Sequence, residues 1–392
     1  MYRFAFAPTK DMNINDLRIA LINYICAKQV NDQLIVRIED GDKEQNIEGK
    51  DQDSLDMLAL FGIDYTQLYY QSNNFKYHLQ FASTLLDTKK AFICFCPQED
   101  KASPCDGTCE HLSPEEVINN PRPFVIRMKK SDTSSDSFVI MNTNKYPTPT
   151  FASACDDMLQ GITTLIQEEK HLNDATKEEW VRKSLGYDQA MHYVHIPTIQ
   201  SENDVKWLLD QGFMPESILN YLLLLGNPTP CEIFYMVEAL AWFDIKNIST
   251  SPAHFDIEKL RFINREHIKR TPDMELSKRM GYACENIGKL AKLYTQEAST
   301  TFEIKQKIDV LFALKPLHVE FEKEAQLLKE LIQKAPYHDT FEAFEAYLLK
   351  KSELQGEAFL TPLRFLLTGC DNGPQLAILY PLIKNYLKEI VR

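Results

Sequence analysis

Residues 2–38 read YRFAFAPTKDMNINDLRIALINYICAKQVNDQLIVRI, and the order of periodicities in this stretch decides the fold. Tyr2 to Ala7 is a short strand-like run, and Gln33 to Ile38 is a second, more apolar one. Between them Ile14, Leu17, Leu21 and Tyr24 recur at helical spacing, which predicts a helix from about Asn13 to Lys28. Strand, helix and strand in so short a span make a βαβ unit, and such a unit implies a parallel sheet. Strand-like runs at Phe124 to Met128, Phe138 to Met141 and Ile162 to Ile166 continue the α/β pattern. From Val205 the periodicity turns helical, at Val205 to Leu209, Glu216 to Leu225, Ile257 to Ile263 and Phe341 to Leu349. The chain therefore reads as an α/β front half followed by an all-α back half.

Its 392 residues allow two or three domains. Hydrophobic residues at 44% and charged residues at 25% exclude the disordered and fibrous classes. A net charge of -13 excludes a wholesale basic nucleic-acid binder. It leaves room for local basic stripes, one at Arg127, Lys129 and Lys130, another at Arg265, Lys269 and Arg270. The N-terminus shows no secretion signal, and the most apolar run, Ile218 to Leu225, is too short to span a bilayer. The expectation is a cytoplasmic monomer that makes no membrane contact and keeps its nine cysteines reduced.

Collinear segments then carry a family likeness: R-F-A-F-A-P-T at Arg3, V-R-I-E-D at Val36, Y-P-T at Tyr146 and C-D-D-M-L at Cys155. I-T-T-L-I-Q-E-E-K-H-L at Ile162, G-F-M-P-E-S-I-L-N-Y-L-L-L-L-G at Gly212 and T-P-L-R-F-L-L-T-G at Thr361 continue it. In this order they resemble the bacterial glutamyl-tRNA synthetases. The resemblance implies a Rossmann-like class I synthetase catalytic domain with a small inserted zinc- and acceptor-binding module, then all-α stem-contact and anticodon-binding regions. Mapped onto this chain, the catalytic domain is 1–90 and 138–200, the insertion 91–137, the stem-contact domain 201–295 and the anticodon-binding-like domain 296–392.

The family reaction attaches glutamate to tRNA with ATP. Its HIGH signature surrounds the ATP phosphates at the start of the first helix, where free N–H groups and the helix dipole favour anions. The aligned residues here are Asn13, Ile14, Asn15 and Asp16. Asn carries no positive charge, and Asp16 adds a negative one. Asn13 reads instead as an N-cap and Asp16 as the acid of a capping box. The KMSKS-type loop should lie between His195-Ile196-Pro197 and Val205-Lys206-Trp207-Leu208. The connection from Thr198 to Asp204 has no lysine or arginine and two acids, Glu202 and Asp204.

The resemblance places the glutamate pocket at Arg3, Glu39, Ser153, Gln167 and His171. Ser153 stands where the family has asparagine, Pro149 where it has tyrosine, and Gln167 where it has the arginine that grips the substrate's side-chain carboxylate. Losing such a fork removes roughly 1.5–3 kcal/mol per bond. Arg3 and Glu39 can equally form a structural ion pair, and Lys10 and Lys170 near the cleft could offer another anion a site.

Cys94, Cys96, Cys105, Cys109 and His111 form a compact cluster with zinc-ligand spacing. The family's zinc variant matches Cys94, Cys96, Cys109 and His111, with Cys105 as an alternative ligand. Cys26, Cys155, Cys231, Cys284 and Cys370 read as core residues. The insertion is short, crossing a Ser/Asp-rich stretch from Ser131 to Ser137 where the family has more strand.

The reading is a catalytically impaired synthetase homologue that binds tRNA or a protein partner. Its alternatives are a working glutamate–tRNA ligase with an unorthodox ATP site, needing ATP and magnesium, and a ligase for another small acid.

Overall fold

The computed structural model describes residues 1–96, 105–130, 137–201 and 203–392. The expected stretch from Ser131 to Ser137, apart from Ser137, and the acid Glu202 lie outside the described residues. In chain order the first elements are β1 (Tyr2–Phe6), α1 (Ile14–Gln29), β2 (Leu34–Ile38), α2 (Lys50–Leu60), β3 (Gln67–Tyr70), α3 (Phe75–Asp87) and β4 (Ala91–Cys94). Then come α4 (Pro114–Ile118), β5 (Val125–Met128), β6 (Phe138–Met141), α5 (Pro149–Gln160), β7 (Thr164–Glu168), α6 (Leu172–Ser184), β8 (His192–Ile196) and β9 (Ile199–Gln200).

The predicted βαβ unit forms. β1 pairs in parallel with β2, Tyr2 opposite Leu34 and Phe6 opposite Ile38. The main sheet runs β3-β2-β1-β7-β8, and every pairing in it is parallel. Each residue of β2 is buried, as a strand covered on both faces requires. α1 is buried along most of its length, with Leu17, Leu21 and Ile25 fully enclosed. β6 does not join this sheet, although its residues lie beyond the expected end of the insertion at 137. It pairs antiparallel with β5, which pairs with β4, so the inserted sheet reaches Met141.

Beyond β9 lie α7 (Val205–Asp210), α8 (Pro215–Leu224), α9 (Met236–Trp242), β10 (Ala253–His254), α10 (Ile257–Arg270), α11 (Asp273–Arg279) and α12 (Glu285–Leu293). The chain closes with α13 (Thr301–Phe312), α14 (Glu322–Lys334), α15 (Phe341–Ser352), α16 (Glu357–Thr368), α17 (Leu376–Ile383) and α18 (Leu387–Ile390).

The chain forms two compact units. The α/β unit comprises Met1–Val205, Leu222–Pro230 and Phe234–Phe255; the helical unit comprises Lys206–Tyr221, Cys231–Ile233 and Asp256–Arg392. Within the helical unit a single core cluster runs from Met214 to Val391 and crosses the expected division at 295 without a break. α11 and α12 approach so closely that a Cβ on Gly288 would stand 1.8 Å from the Asp273 carbonyl oxygen, which demands glycine there. Charge divides unevenly: of the net -13, the α/β unit carries -12 and the helical unit -1. Among the described residues no helix is long and apolar enough to cross a membrane. Cys26 and Cys155 are core residues as expected, but Cys231 and Cys370 are exposed, because each sits in a loop outside the helices that supply the core.

Candidate functional site

The start of α1 closes on itself. Asn13 Oδ1 accepts the N–H groups of Asn15 at 2.8 Å and Asp16 at 3.0 Å, and Asp16 Oδ2 accepts the Asn13 N–H at 3.2 Å. This is the capping box that the Asn13/Asp16 spacing predicts. First-turn donors that could face a phosphate are thereby taken by the helix's own side chains.

Asn15 has a separate task. Its Oδ1 accepts the Ile199 N–H at 2.7 Å and its Nδ2 donates to the Ile199 carbonyl at 3.0 Å, tying α1 to β9. Arg18, one turn on, donates to the carbonyls of Pro197 and Leu225, and burial lowers its pKa to about 10. The residues facing the HIGH position thus act as struts between α1 and the short connection after β8. Burial raises the Asp16 carboxyl above its ordinary range, against the hydrogen bond from Asn13.

Arg3, Glu39, Ser153, Gln167, His171 and Asp16 line one cleft of about 210 Å³; Asn13 and Asn15 are not part of its wall. Beneath it lies a buried ion network. Arg3 Nε donates to Asp157 Oδ1 at 2.7 Å, and its Nη2 to Ser153 Oγ at 3.1 Å. Arg37, which is 0% exposed, donates to the same Asp157 oxygen at 2.7 Å, to Ser153 Oγ at 2.8 Å and to Glu39 at 3.2 Å. Burial opposes ionisation of Asp157, but the two guanidinium groups outweigh it and hold the carboxyl below the usual range. The Arg3–Glu39 ion pair, one of the two readings of these residues, does not form: Arg3 turns to Asp157 on α5, and Glu39 answers Arg37, its neighbour two residues back.

The rest of the wall is weighted toward acids. Gln167 faces His195 at 3.3 Å, and burial lowers the pKa of His195. His171 stands 3.6 Å from Asp174. Lys170, expected near an anion site, is bound to Glu168 at 2.6 Å and is not free for one. Glu168, Asp174 and Glu178 complete the acidic wall. Burial and the field of Asp157 push the Glu178 carboxyl up to about 7.

Five of the six side chains in the basic stripes are likewise engaged, Lys130 being exposed. Arg127 is buried and donates to the Ser137 carbonyl, and Lys129 pairs with Glu110. Arg265 donates to Ser299, Lys269 to Glu266 and Arg270 to the Ile233 carbonyl.

A second constellation lies beside the three-stranded sheet. The sulfurs of Cys94, Cys96, Cys105 and Cys109 lie within 4.8 Å of one another. Cys96 stands 3.6 Å from Cys105 and 3.7 Å from Cys109, close to the ~3.8 Å edge of a tetrahedron with metal–sulfur bonds of about 2.3 Å. His111 is not in the group. Cys109 and His111 share one 3-10 turn, Thr108–His111, where residues two apart point about 120° away from each other. The Gly107 turn, at φ 92°, brings Cys105 back beside Cys109 instead.

Reasoning from sequence missed Arg37, Asp157 and Glu178. A signal for the first was present: an arginine inside the apolar strand L-I-V-R-I must have a buried partner.

A parallel five-stranded sheet, its cleft at the strand ends and an inserted cysteine sheet agree with a family match. Residues 1–135 and 113–262 match the tRNA synthetases class I (E and Q), catalytic domain, and the chain belongs to that family. Within it the chain is a full-length homologue of glutamate–tRNA ligases. It is 46% identical to glutamate–tRNA ligase 1 of Campylobacter jejuni subsp. jejuni (strain 81-176) and 43% identical to glutamate–tRNA ligase 2 of Sulfurimonas denitrificans, with 100% of both chains covered. Both alignments extend over 432 residues, 40 more than this chain has, so the relatives carry segments it lacks. A glutamate tRNA ligase from Elizabethkingia meningosepticum, solved with its amino acid, shares the fold at a TM-score of 0.79 and 20% identity, over 100% of this chain and 98% of that one.

Proposed function

We propose that this protein is a non-catalytic homologue of glutamate–tRNA ligase that binds tRNA through its helical unit. The observation that carries the reading is the charge of the cleft. Adenylation brings together glutamate and ATP, both anions, and depends on fixed positive groups that meet the charge developing in the transition state. Here Arg3 and Arg37 are committed to Asp157, and Asp16, Glu168, Asp174 and Glu178 face the cavity. The α1 N-terminus is self-capped, and the connection from β8 to α7 offers no lysine or arginine.

Helical segments 201–295 and 296–392 would contact the tRNA stem and anticodon. Most of these residues belong to the helical unit, which carries -1 against -12 for the α/β unit and so repels a polyanion far less. The four cysteines fit a structural zinc ion, which would cross-link the turn at Gly107 to β4.

A second reading, a working glutamate–tRNA ligase using ATP and magnesium, is favoured by one observation: relatives bearing that name match the whole chain at 43–46% identity. The test is ATP–pyrophosphate exchange and tRNA charging with labelled glutamate, alongside gel-shift binding of total tRNA at two salt concentrations. The expected result is salt-sensitive tRNA binding without exchange or charging. Exchange dependent on glutamate would overturn the proposal in favour of the second reading.

A further inference from the structure

The cleft holds more negative charge than its own cations cancel. Asp16, Glu39, Glu168, Asp174 and Glu178 line it, and Asp157 supports it from below. Against these six carboxylates stand Arg3, Arg37, Lys170 and Arg182, through the pairs already described and through Glu178. Counted as ionised, these groups leave two negative charges over; Lys10 acts on Asp16 from an exposed loop, and burial keeps Glu178, at about 7, partly protonated at neutral pH.

One oxygen of these carboxylates is buried without a hydrogen bond. Glu178 is 5% exposed, lines the cavity, and its Oε2 has no hydrogen-bond partner. Arg182 Nη1 stands 3.8 Å from that oxygen, beyond hydrogen-bond reach, while Arg182 Nη2 bonds the Tyr193 hydroxyl. A buried carboxylate oxygen in this state calls for a donor, and a donor that also brings positive charge relieves both deficits at once.

We propose that the cleft binds a small aliphatic ammonium compound, with an ammonium group seated on Glu178. This rests on the reading that the cleft no longer adenylates glutamate, and it names what the cleft accepts instead. At about 210 Å³ the cavity is below the roughly 300–1,000 Å³ that takes drug-sized ligands, so the ligand is a short-chain one. A diamine and a basic amino acid share this chemistry; because Arg3 is committed to Asp157, the diamine, which brings no carboxylate, fits the wall better.

The test is titration calorimetry of the full chain with putrescine, L-lysine, L-glutamate and magnesium chloride, repeated on Glu178→Gln with the fold checked by circular dichroism. The expected result is saturable binding of putrescine or lysine at a Kd of about 1 mM or tighter. Glu178→Gln should weaken it about tenfold or more, and glutamate should give no heat. Should Glu178→Gln not fold, Asp174→Asn, at a partly exposed wall position, takes its place with the same expected direction. Failure of both amines to bind, glutamate or magnesium binding in their stead, or unchanged amine affinity in the variant would overturn the inference. Pyrophosphate exchange on the same preparation separates the two claims: exchange defeats the non-catalytic reading, whereas absent exchange with absent amine binding defeats only this one.

Discussion

Asn15→Ala distinguishes a strut from a nucleotide-binding residue. The change deletes two hydrogen bonds, at 2.7 and 3.0 Å, that hold the backbone of Ile199 to the first turn of α1. Ile199 is 1% exposed, so water does not readily replace them. At roughly 0.5–1.5 kcal/mol for each bond, the loss is about 2 kcal/mol. An α/β unit of this size should then melt roughly 4–8 °C lower, since 1 kcal/mol shifts the midpoint by about 2–4 °C in domains of 150–250 residues. Urea unfolding should show a lower midpoint at an unchanged slope, the signature of lost stability without a changed unfolded state. A residue serving ATP would behave otherwise. Its removal would leave the melt within about 1 °C and weaken nucleotide binding, and that result would refute the strut.

Two further outcomes follow from the same geometry. Glu178, with a folded pKa of about 7 against 4.5 when free, contributes stability that is fully present below about 4.5 and lost as pH rises through about 7. Wild type should therefore lose up to about 3 kcal/mol relative to Glu178→Gln between about pH 5 and pH 8, read by urea unfolding; parallel pH profiles would contradict the assignment. For the cysteine group, Cys105→Ala should abolish bound zinc in the purified protein while His111→Ala retains it, as measured by elemental analysis. Zinc lost with His111 and kept without Cys105 would reverse the ligand set.

What the sequence made legible was what depends on near neighbours. The βαβ unit at residues 2–38 was readable because strand and helix periods differ, and the capping box because Asn13 and Asp16 lie three apart. Pairings across long separations were not. Arg3 and Asp157 are 154 residues apart, and nothing in the spacing separates Asp157 from Glu39 as the partner of Arg3. The Asn15–Ile199 clasp spans 184 residues and engages a backbone, which carries no sequence signature at all. Cys105 and His111 were both plausible on spacing; the positive φ at Gly107 and the three-fold turn after it set which one meets the other sulfurs.

Of the two changes at the start of α1, Asp16 weighs more than the cap. A cap adjusts stability by about 1 kcal/mol and can be exchanged for a phosphate, because the bound anion would satisfy the same N–H groups. A carboxylate cannot be exchanged in this way. At an effective dielectric of 20, one unit of phosphate charge about 6 Å from Asp16 costs about 3 kcal/mol, and a triphosphate brings several. The protein could avoid this cost only by protonating Asp16, which from an ordinary value of 3.8 costs about 4 kcal/mol at neutral pH. Burial raises that carboxyl and lessens the second cost, and Lys10 acts on Asp16 from an exposed loop, so the penalty is bounded; the cations of the cleft wall are engaged elsewhere, Arg3 and Arg37 with Asp157 and Lys170 with Glu168. A field of this sign disfavours ATP and favours a cation. The two proposals, loss of adenylation and acceptance of an amine, rest on this one charge distribution.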